Sequence, residues 1–347
     1  MNRRRVAAIA LPAIAIAISA ALAGPLNPPV GPVAPSYKTL SDVEPRTAIN
    51  AANTPGNSLG VYVISQPGSY YLTGNISAPS GKGGILVAAD PVTIDLNGFS
   101  ILGSSGATSG ITTGSVYYYN TTVKNGSVAG FSGTGVDLST VWGGHVQNVT
   151  SNGNGTGVKI LDGVVENCTA VYGAVGFAAT GHGTFVRCTS TNNTGAGYNS
   201  SGHTFFDGCT ASANGGRGFD VGSYSTVRGC VAEGNTSQGI VCLDVGMVQN
   251  NVILNNGGAN SAGLWVQGDY GTYDANEIVN NGYGVYVGGT GNLIIRNRVG
   301  SSTQSNFYIV AGNRVGTIAT AGNNAALING NSGGGLGTTD PYANIVR

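Results

Sequence analysis

The sequence predicts an all-β fold, a single-stranded right-handed parallel β-helix of about ten or eleven rungs of roughly 21 residues with a short N-terminal capping segment. Three observations predict it. Rows led by glycine recur at a fixed spacing, with Gly176, Gly197, Gly218 and Gly239 evenly placed along the chain. Four cysteines, Cys168, Cys188, Cys209 and Cys230, recur at almost the same interval. Short runs that alternate apolar and polar residues are separated by Gly, Asn and Ser, as in GFDVGSYSTVRGCVAEGNTSQ from Gly218.

Each row holds three strand candidates. The first alternates after its leading glycine, as Phe219 and Val221, Leu264 and Val266, or Val285 and Val287 do, and period 2 turns these residues to one face. The second carries an apolar residue such as Phe185, Phe206, Val227 or Val248. The third begins at a Cys or an Asn. One row cannot bury its own apolar face. Rows stacked at ~4.8 Å give each strand two hydrogen-bonding neighbours and enclose a continuous core, in a rod of roughly 50 Å. Rows led by Gly84, Gly110 and Gly135 are longer and less regular.

The period implies vertical columns. Asn148, the four cysteines, and then Asn251, Asn276 and Asn297 make one inward structural ladder, because stacked Asn side chains bond up and down a rod and buried Cys acts as a small hydrophobe. A second column, Asn193, Asn214, Asn235, Asn256 and Asn281, is expected at turn positions of positive φ. Side chains on in-register parallel strands stand ~4.8 Å apart, whereas a disulfide wants Cβ atoms ~3.8 Å apart, so the thiols are expected to be free. Cys242 falls elsewhere in its row, inward on the first strand. A straight thiol column is not a tetrahedral site, and no metal site is assigned.

Composition excludes several classes. Glycine, at 59 residues, is roughly double its usual share, while 41% hydrophobic residues suffice for a core and exclude disorder. The segment 1–23 reads as a signal peptide: Arg3, Arg4 and Arg5, an apolar stretch from Val6 to Leu22, and a small-x-small site at Ala21-Leu22-Ala23. Removing those three arginines from 15 basic residues leaves 12 against 15 acidic ones, and no basic stripe exists to hold nucleic acid. Export is therefore expected, and no later segment is long and apolar enough to span a bilayer. The expected organisation is signal peptide 1–23, Pro-rich linker and cap 24–58, β-helix 59–315 and closing segment 316–347. Within the cap, Thr39 to Asp42 has the pattern of a capping box opening a short helix that Pro45 limits.

The lines GILVAADPVTIDLNGFSILG (84–103), VQNNVILNNGG (248–258) and YDANEIVNNGYGV (273–285) resemble the secreted right-handed β-helix repeat proteins of the pectin-lyase-like superfamily, over about residues 60–315. That superfamily mixes polysaccharide lyases, glycoside hydrolases, sugar epimerases and non-catalytic surface proteins, so the resemblance implies a carbohydrate partner and no named reaction. His182 lies in Gly-His-Gly, a tripeptide also found in polygalacturonases of that group. Those enzymes surround it with three aspartates and an Arg-x-Lys, and neither an Asp-Asp pair nor an Arg-x-Lys occurs here.

Candidate site residues follow from the columns. Trp265, Tyr286 and Tyr308 share an outward slot of the first strand in successive rows, where flat rings would stack against sugars. His182, His203 and Tyr224 share a turn slot, and two adjacent histidines suit acid–base work. Asp207 and Asp220 are the remaining catalytic candidates, although the alignment puts them on different strands. A lyase would need Ca²⁺, and no acid cluster supports one. Asp137 and Lys159 share the outward first-strand slot and are expected to form a surface ion pair. Thr169, Thr189 and Thr210 stack outward, with Thr191 and Ser212 two positions on, in the manner of an ice-binding face. Three readings result: a secreted protein that binds or processes polysaccharide, with lyase or hydrolase activity if it is an enzyme; a non-catalytic envelope structural or adhesion protein; and an ice-binding solenoid.

Overall fold

The computed structural model describes residues 44–258, 260–320 and 339–346. The signal peptide, most of the Pro-rich linker and the capping-box residues lie outside the described residues. Among the described residues there is no helix.

The described residues from 46 onward form a parallel β-solenoid, and every strand pair among them is parallel. The first strands of successive coils make one sheet of 12 strands, from Gly60–Ile64 to Ser305–Ile309. The second and third strands merge into a sheet of 24 strands, because Thr121–Ala129 and Gly144–Asn152 run through the corner between them. The coils number about 13, more than the ten or eleven expected. The end coils escape the count because they lack the repeat template. Thr47–Ala48 pairs with Gly68–Tyr71 at one end, and Asn344–Val346 returns to pair with Arg298–Gly300 at the other.

The interior is filled as alternation dictates. Phe177, Tyr198 and Phe219 stack beneath the first strands, with Tyr198 and Phe219 at 4.6 Å and 2°. Phe185 and Phe206 stack from the second strands and meet that column edge-on. The buried Tyr198 hydroxyl donates to the Cys188 carbonyl at 2.7 Å, and burial pushes its pKa well up.

Each coil turns its second corner with a single residue of positive φ: Asn167, Arg187, Gly208, Gly229, Asn250, Ala275 and Arg296, all between 49° and 62°. A non-glycine residue there costs ~1–2 kcal/mol. The residue that follows each of them points inward and belongs to the ladder. Asn276 shows how the kink is offset. Its Oδ1 accepts the Asn251 N–H at 3.1 Å and the Asn251 amide at 2.9 Å, while its own amide donates to the Val248 carbonyl at 2.9 Å. The cysteines do this more weakly: the Cys209 N–H donates to the Cys230 sulfur at 3.3 Å. All five cysteines are free and buried. The flanking thiols and burial hold the Cys188 thiol far above its ordinary pKa, and burial pushes Cys242 up to about 12.

Two column assignments need correction. Asn148 is not the ladder member below Cys168. Thr150 pairs with Thr169, so Val149 takes that slot and Asn148 is the corner residue, with φ 53°. The coil is shorter than the period there, so counting back by a full period overshoots the ladder position. Likewise Asn193, Asn214, Asn235, Asn256 and Asn281 are buried ladder residues, and positive φ falls one position earlier, at Asn192, Ala213, Gly234, Asn255 and Asn280. The first ladder also continues past Asn297 to Asn344, which accepts the Asn297 N–H at 3.0 Å.

Asn276→Ala removes the acceptor of a buried N–H and leaves the Val248 carbonyl without its amide donor. We expect a loss of about 1–3 kcal/mol in urea unfolding, and a smaller loss for Cys209→Ala. A thiol reagent should find no reactive cysteine in the native protein and all five in denaturant; fast labelling of the folded chain would contradict the buried column.

Candidate functional site

The outward column of the first-strand face is fixed by register. It runs Val63, Leu86, Thr112, Asp137, Lys159, Ala178, Asn199, Asp220, Val241, Trp265, Tyr286 and Tyr308. Asp137 and Lys159 are direct register partners, but no ion pair joins them; Asp137 accepts the Ser139 N–H at 3.0 Å instead.

At its C-terminal end the column becomes a ring cluster. Tyr286 and Tyr308 stack at 4.7 Å and 8°, whereas Trp265 meets Tyr286 at 4.9 Å and 44°. Tyr283, which sequence reasoning missed, stands across both tyrosines at 5.4 and 6.1 Å, with interplanar angles of 74° and 68°. The N–H of Tyr283 donates to the Ser261 carbonyl, so the longer loop before Ala262 seats it. Tyr283 was findable: it pairs in register with Ala262, three positions before the slot of Trp265.

Trp265, Tyr286 and Tyr308 share the slot but their rings are not all parallel. Tyr286 and Tyr308 each cover one face of the other. The rings that break the stack are Trp265 and Tyr283. Below Trp265, Val241 also points outward, yet it is 1% exposed and lies outside the main core cluster, so its neighbours on the face cover it.

Charge is absent from this part of the face. The first-strand segments 238–243, 262–267, 283–288 and 305–310 contain no Asp, Glu, Lys or Arg. Their polar residues are neutral: Gln238, Gln267, Ser305 and Asn306. Asp220, two coils below Trp265, is paired with Arg217 at 2.7 Å.

The catalytic candidates are not brought together. Asp207 lies on the second-strand face, where Arg228 of the next coil binds both its oxygens at 3.0 and 3.2 Å. Asp220 is on the first-strand face. His182 and His203 lie at the first corner, with rings 5.1 Å apart, and His203 stacks on Tyr224 at 5.0 Å. Other carboxylates are likewise engaged by the neighbouring coil, as in Asp274–Arg296 and Glu277–Arg298. The threonine column holds Thr150, Thr169, Thr189 and Thr210, but its second file reads Asn152, Val171, Thr191 and Ser212, so the paired array spans only two coils. A cleft of about 470 Å³ between Leu293, Ile295, Arg314 and Tyr342 lies on the second-strand side, away from every candidate.

Residues 134–269 match the family model described as the right handed beta helix region. The match and the parallel solenoid agree on the fold, a right-handed parallel β-helix. The Dettilon tailspike protein gp208 matches at 13% identity, over 74% of this chain and 61% of that one, with a TM-score of 0.51. This chain thus spans less than two thirds of the tailspike's length. The A-module of mannuronan C-5 epimerase AlgE4 from Azotobacter vinelandii matches at 16% identity, over 72% of this chain and 86% of the module, with a TM-score of 0.49. No curated protein matches. The likeness to the tailspike shows the fold alone.

Trp265 and Trp142 are the two tryptophans of the chain. With Trp142→Phe as background, Tyr286→Ala should uncover one side of Trp265, shift its emission to longer wavelength and increase its quenching by acrylamide. Unchanged quenching would refute the ring contact.

Proposed function

We propose that this protein is an exported rod that binds a neutral polysaccharide on its first-strand face, without cleaving it there. The observation that carries the reading is the cluster of Trp265, Tyr283, Tyr286 and Tyr308 on a face with no charge over four successive coils. Aromatic rings take sugars by packing against their apolar C–H faces, and rigid rings lose little entropy in doing so. Trp265 and Tyr283, which leave the stack, supply ring faces. Tyr286 and Tyr308 supply hydroxyls for polar groups, beside the neutral amides of Gln238 and Gln267. A chain laid along the rod meets one new ring per coil.

The same face explains why binding is favoured over processing. Inverting hydrolysis needs two carboxylates ~6.5–9.5 Å apart, and retaining hydrolysis needs a closer pair. The four ring-bearing and flanking segments carry none. An acidic polysaccharide would need Arg, Lys or a bound cation to offset its charge, and these segments carry no basic residue either. Export rests on the expected leader at 1–23, which lies outside the described residues. No helix among the described residues is long and apolar enough to cross a membrane.

Affinity gels and calorimetry with neutral polysaccharides (glucans, mannans, xylans, galactans) and with uronic-acid polymers test this reading. We expect binding to at least one neutral polymer, nearly independent of salt. Trp265→Ala or Tyr283→Ala should weaken it roughly tenfold, ~1.4 kcal/mol, without release of new reducing ends. Binding only to acidic polymers with a steep salt dependence would overturn the neutral class; binding to none would overturn the function.

A further inference from the structure

The first corner of each coil, between the first and second strands, stacks into a straight edge along the rod. Its backbone bonds place Gly143, Asp162, His182, His203, Tyr224, Val245, Tyr270, Gly291 and Gly312 over one another in successive coils. From His203 to Gly312 these residues have positive φ. Val245 is the anomaly. A β-branched residue is an outlier in the left-handed region, and this one has φ 55° while remaining 42% exposed. Neither backbone preference nor solubility favours valine there. Its neighbours Leu243 and Met247 are also exposed, as are Tyr224 at 59% and Tyr270 at 71%. The edge is thus an apolar strip in a chain many of whose charged residues are paired between coils.

The strip is polar at its flanks in an ordered way. Imidazoles occupy one half, at His182 and His203. Carboxylates border the other half, where Asp244 precedes Val245 and Asp269 precedes Tyr270. Asp244 accepts the Asp269 N–H at 2.9 Å, and Asp269 accepts the Thr290 N–H, so both carboxylates are held at the edge. Shape follows the same division. Beyond Asp162, bulky exposed rings, Tyr117, Tyr119 and Trp142, stand out on a small two-stranded sheet of Tyr118–Tyr119 with Val141–Trp142. On the opposite half the column ends in Gly291 and Gly312, and a Cβ on Gly291 would meet the Tyr270 ring at 2.7 Å.

The geometry points to a second copy of this chain as the occupant of the edge, packed antiparallel about a two-fold axis at Tyr224. In that arrangement His203 faces the partner at Val245 and Asp244, His182 faces Tyr270 and Asp269, Asp162 faces Gly291, and the Trp142 platform faces Gly312. The Trp142 platform thus meets a glycine, and each of the two imidazoles meets a carboxylate. The parallel alternative sets carboxylate on carboxylate, which costs free energy. The edge from Gly143 to Gly312 covers eight coil steps, ~38 Å. A strip that long need be only about 20 Å wide to bury the ~800 Å² per partner of a standard interface. The ring cluster of the first-strand face stays outside it.

Light scattering of the full chain should give twice the mass of one chain, and oxidative crosslinking fixes the register, because the five native thiols are buried. Tyr224→Cys should crosslink with its own copy. His182→Cys should crosslink at least about tenfold less with itself than with Tyr270→Cys mixed in. His203→Asp should dissociate the pair while leaving the circular dichroism of the folded chain unchanged, and adding Asp244→His should restore it. A monomer at all attainable concentrations would overturn the inference, as would self-crosslinking of His182→Cys equal to that of Tyr224→Cys.

Discussion

The structure depends on how a chain turns a sharp corner without leaving a buried N–H unpaired. At the second corner a single left-handed residue makes the turn, and the next residue points inward. That inward residue must accept from the coil before it, since water cannot reach it. Asn answers best: in Asn251, Asn276 and Asn297 one oxygen accepts from the coil before it and the amide reaches a carbonyl there. Each bond contributes about 0.5–1.5 kcal/mol net, and each unmade buried bond costs about 1–3 kcal/mol. Those bonds offset the ~1–2 kcal/mol of a non-glycine kink such as Ala275 or Arg296. The price of such a ladder is continuity, because each member is satisfied by its neighbours above and below.

That constraint explains what the sequence shows and what it hides. Cysteines and asparagines recur at the coil period because one inward slot recurs, so the columns of Cys168 to Asn297 and of Trp265 to Tyr308 can be found by spacing. Spacing aligns residue types, however, and carries no backbone angle. Asn148 and Val149 are therefore confused, as are the kink at Asn192 and the ladder residue Asn193: each pair sits at a corner, and only register separates its members. Ring orientation is hidden for a different reason. Whether Tyr286 shows its face or its edge depends on side-chain torsions set by Tyr308 and Tyr283 together. The edge stripe is half visible as His182, His203 and Tyr224, but its continuation through Val245 and Tyr270 is not, because valine in a left-handed corner has no sequence signature.

The charges illustrate how parallel stacking disposes of reactive groups. A carboxylate on an outward slot has its nearest partners one coil away, and the sequence fills several of those places with arginine: Arg228 above Asp207, Arg296 above Asp274, Arg298 above Glu277. His145 and Arg187 both reach Glu166. Exposed pairs of this kind add little to stability because solvent and salt screen them. Their consequence is chemical. Arg228 and Arg296 are held above their ordinary pKa by bonds and charge from Asp207 and Asp274, so those carboxylate oxygens are already engaged. The acids that would suggest catalysis by their presence are those whose partners argue against it.

A solenoid places like over like, and a uniform column satisfies itself. Stacked tyrosines cover each other's faces, stacked asparagines saturate each other's bonds, and paired charges neutralise each other. Surface left over for another molecule arises where a column changes type. Trp265 begins the ring file above Val241 and tilts away from Tyr286; Tyr283 stands outside the file altogether. Val245 interrupts the rings of the first corner between Tyr224 and Tyr270. Because each coil couples only to its neighbours, such interruptions can accumulate on one face without disturbing the ladders beneath. In this rod the interruptions at Trp265 on the first-strand face and at Val245 on the first corner fall in neighbouring coils, from Val241 to Tyr270. A ligand on the face and a partner on the edge would therefore bear on one stretch of chain, through different side chains of it.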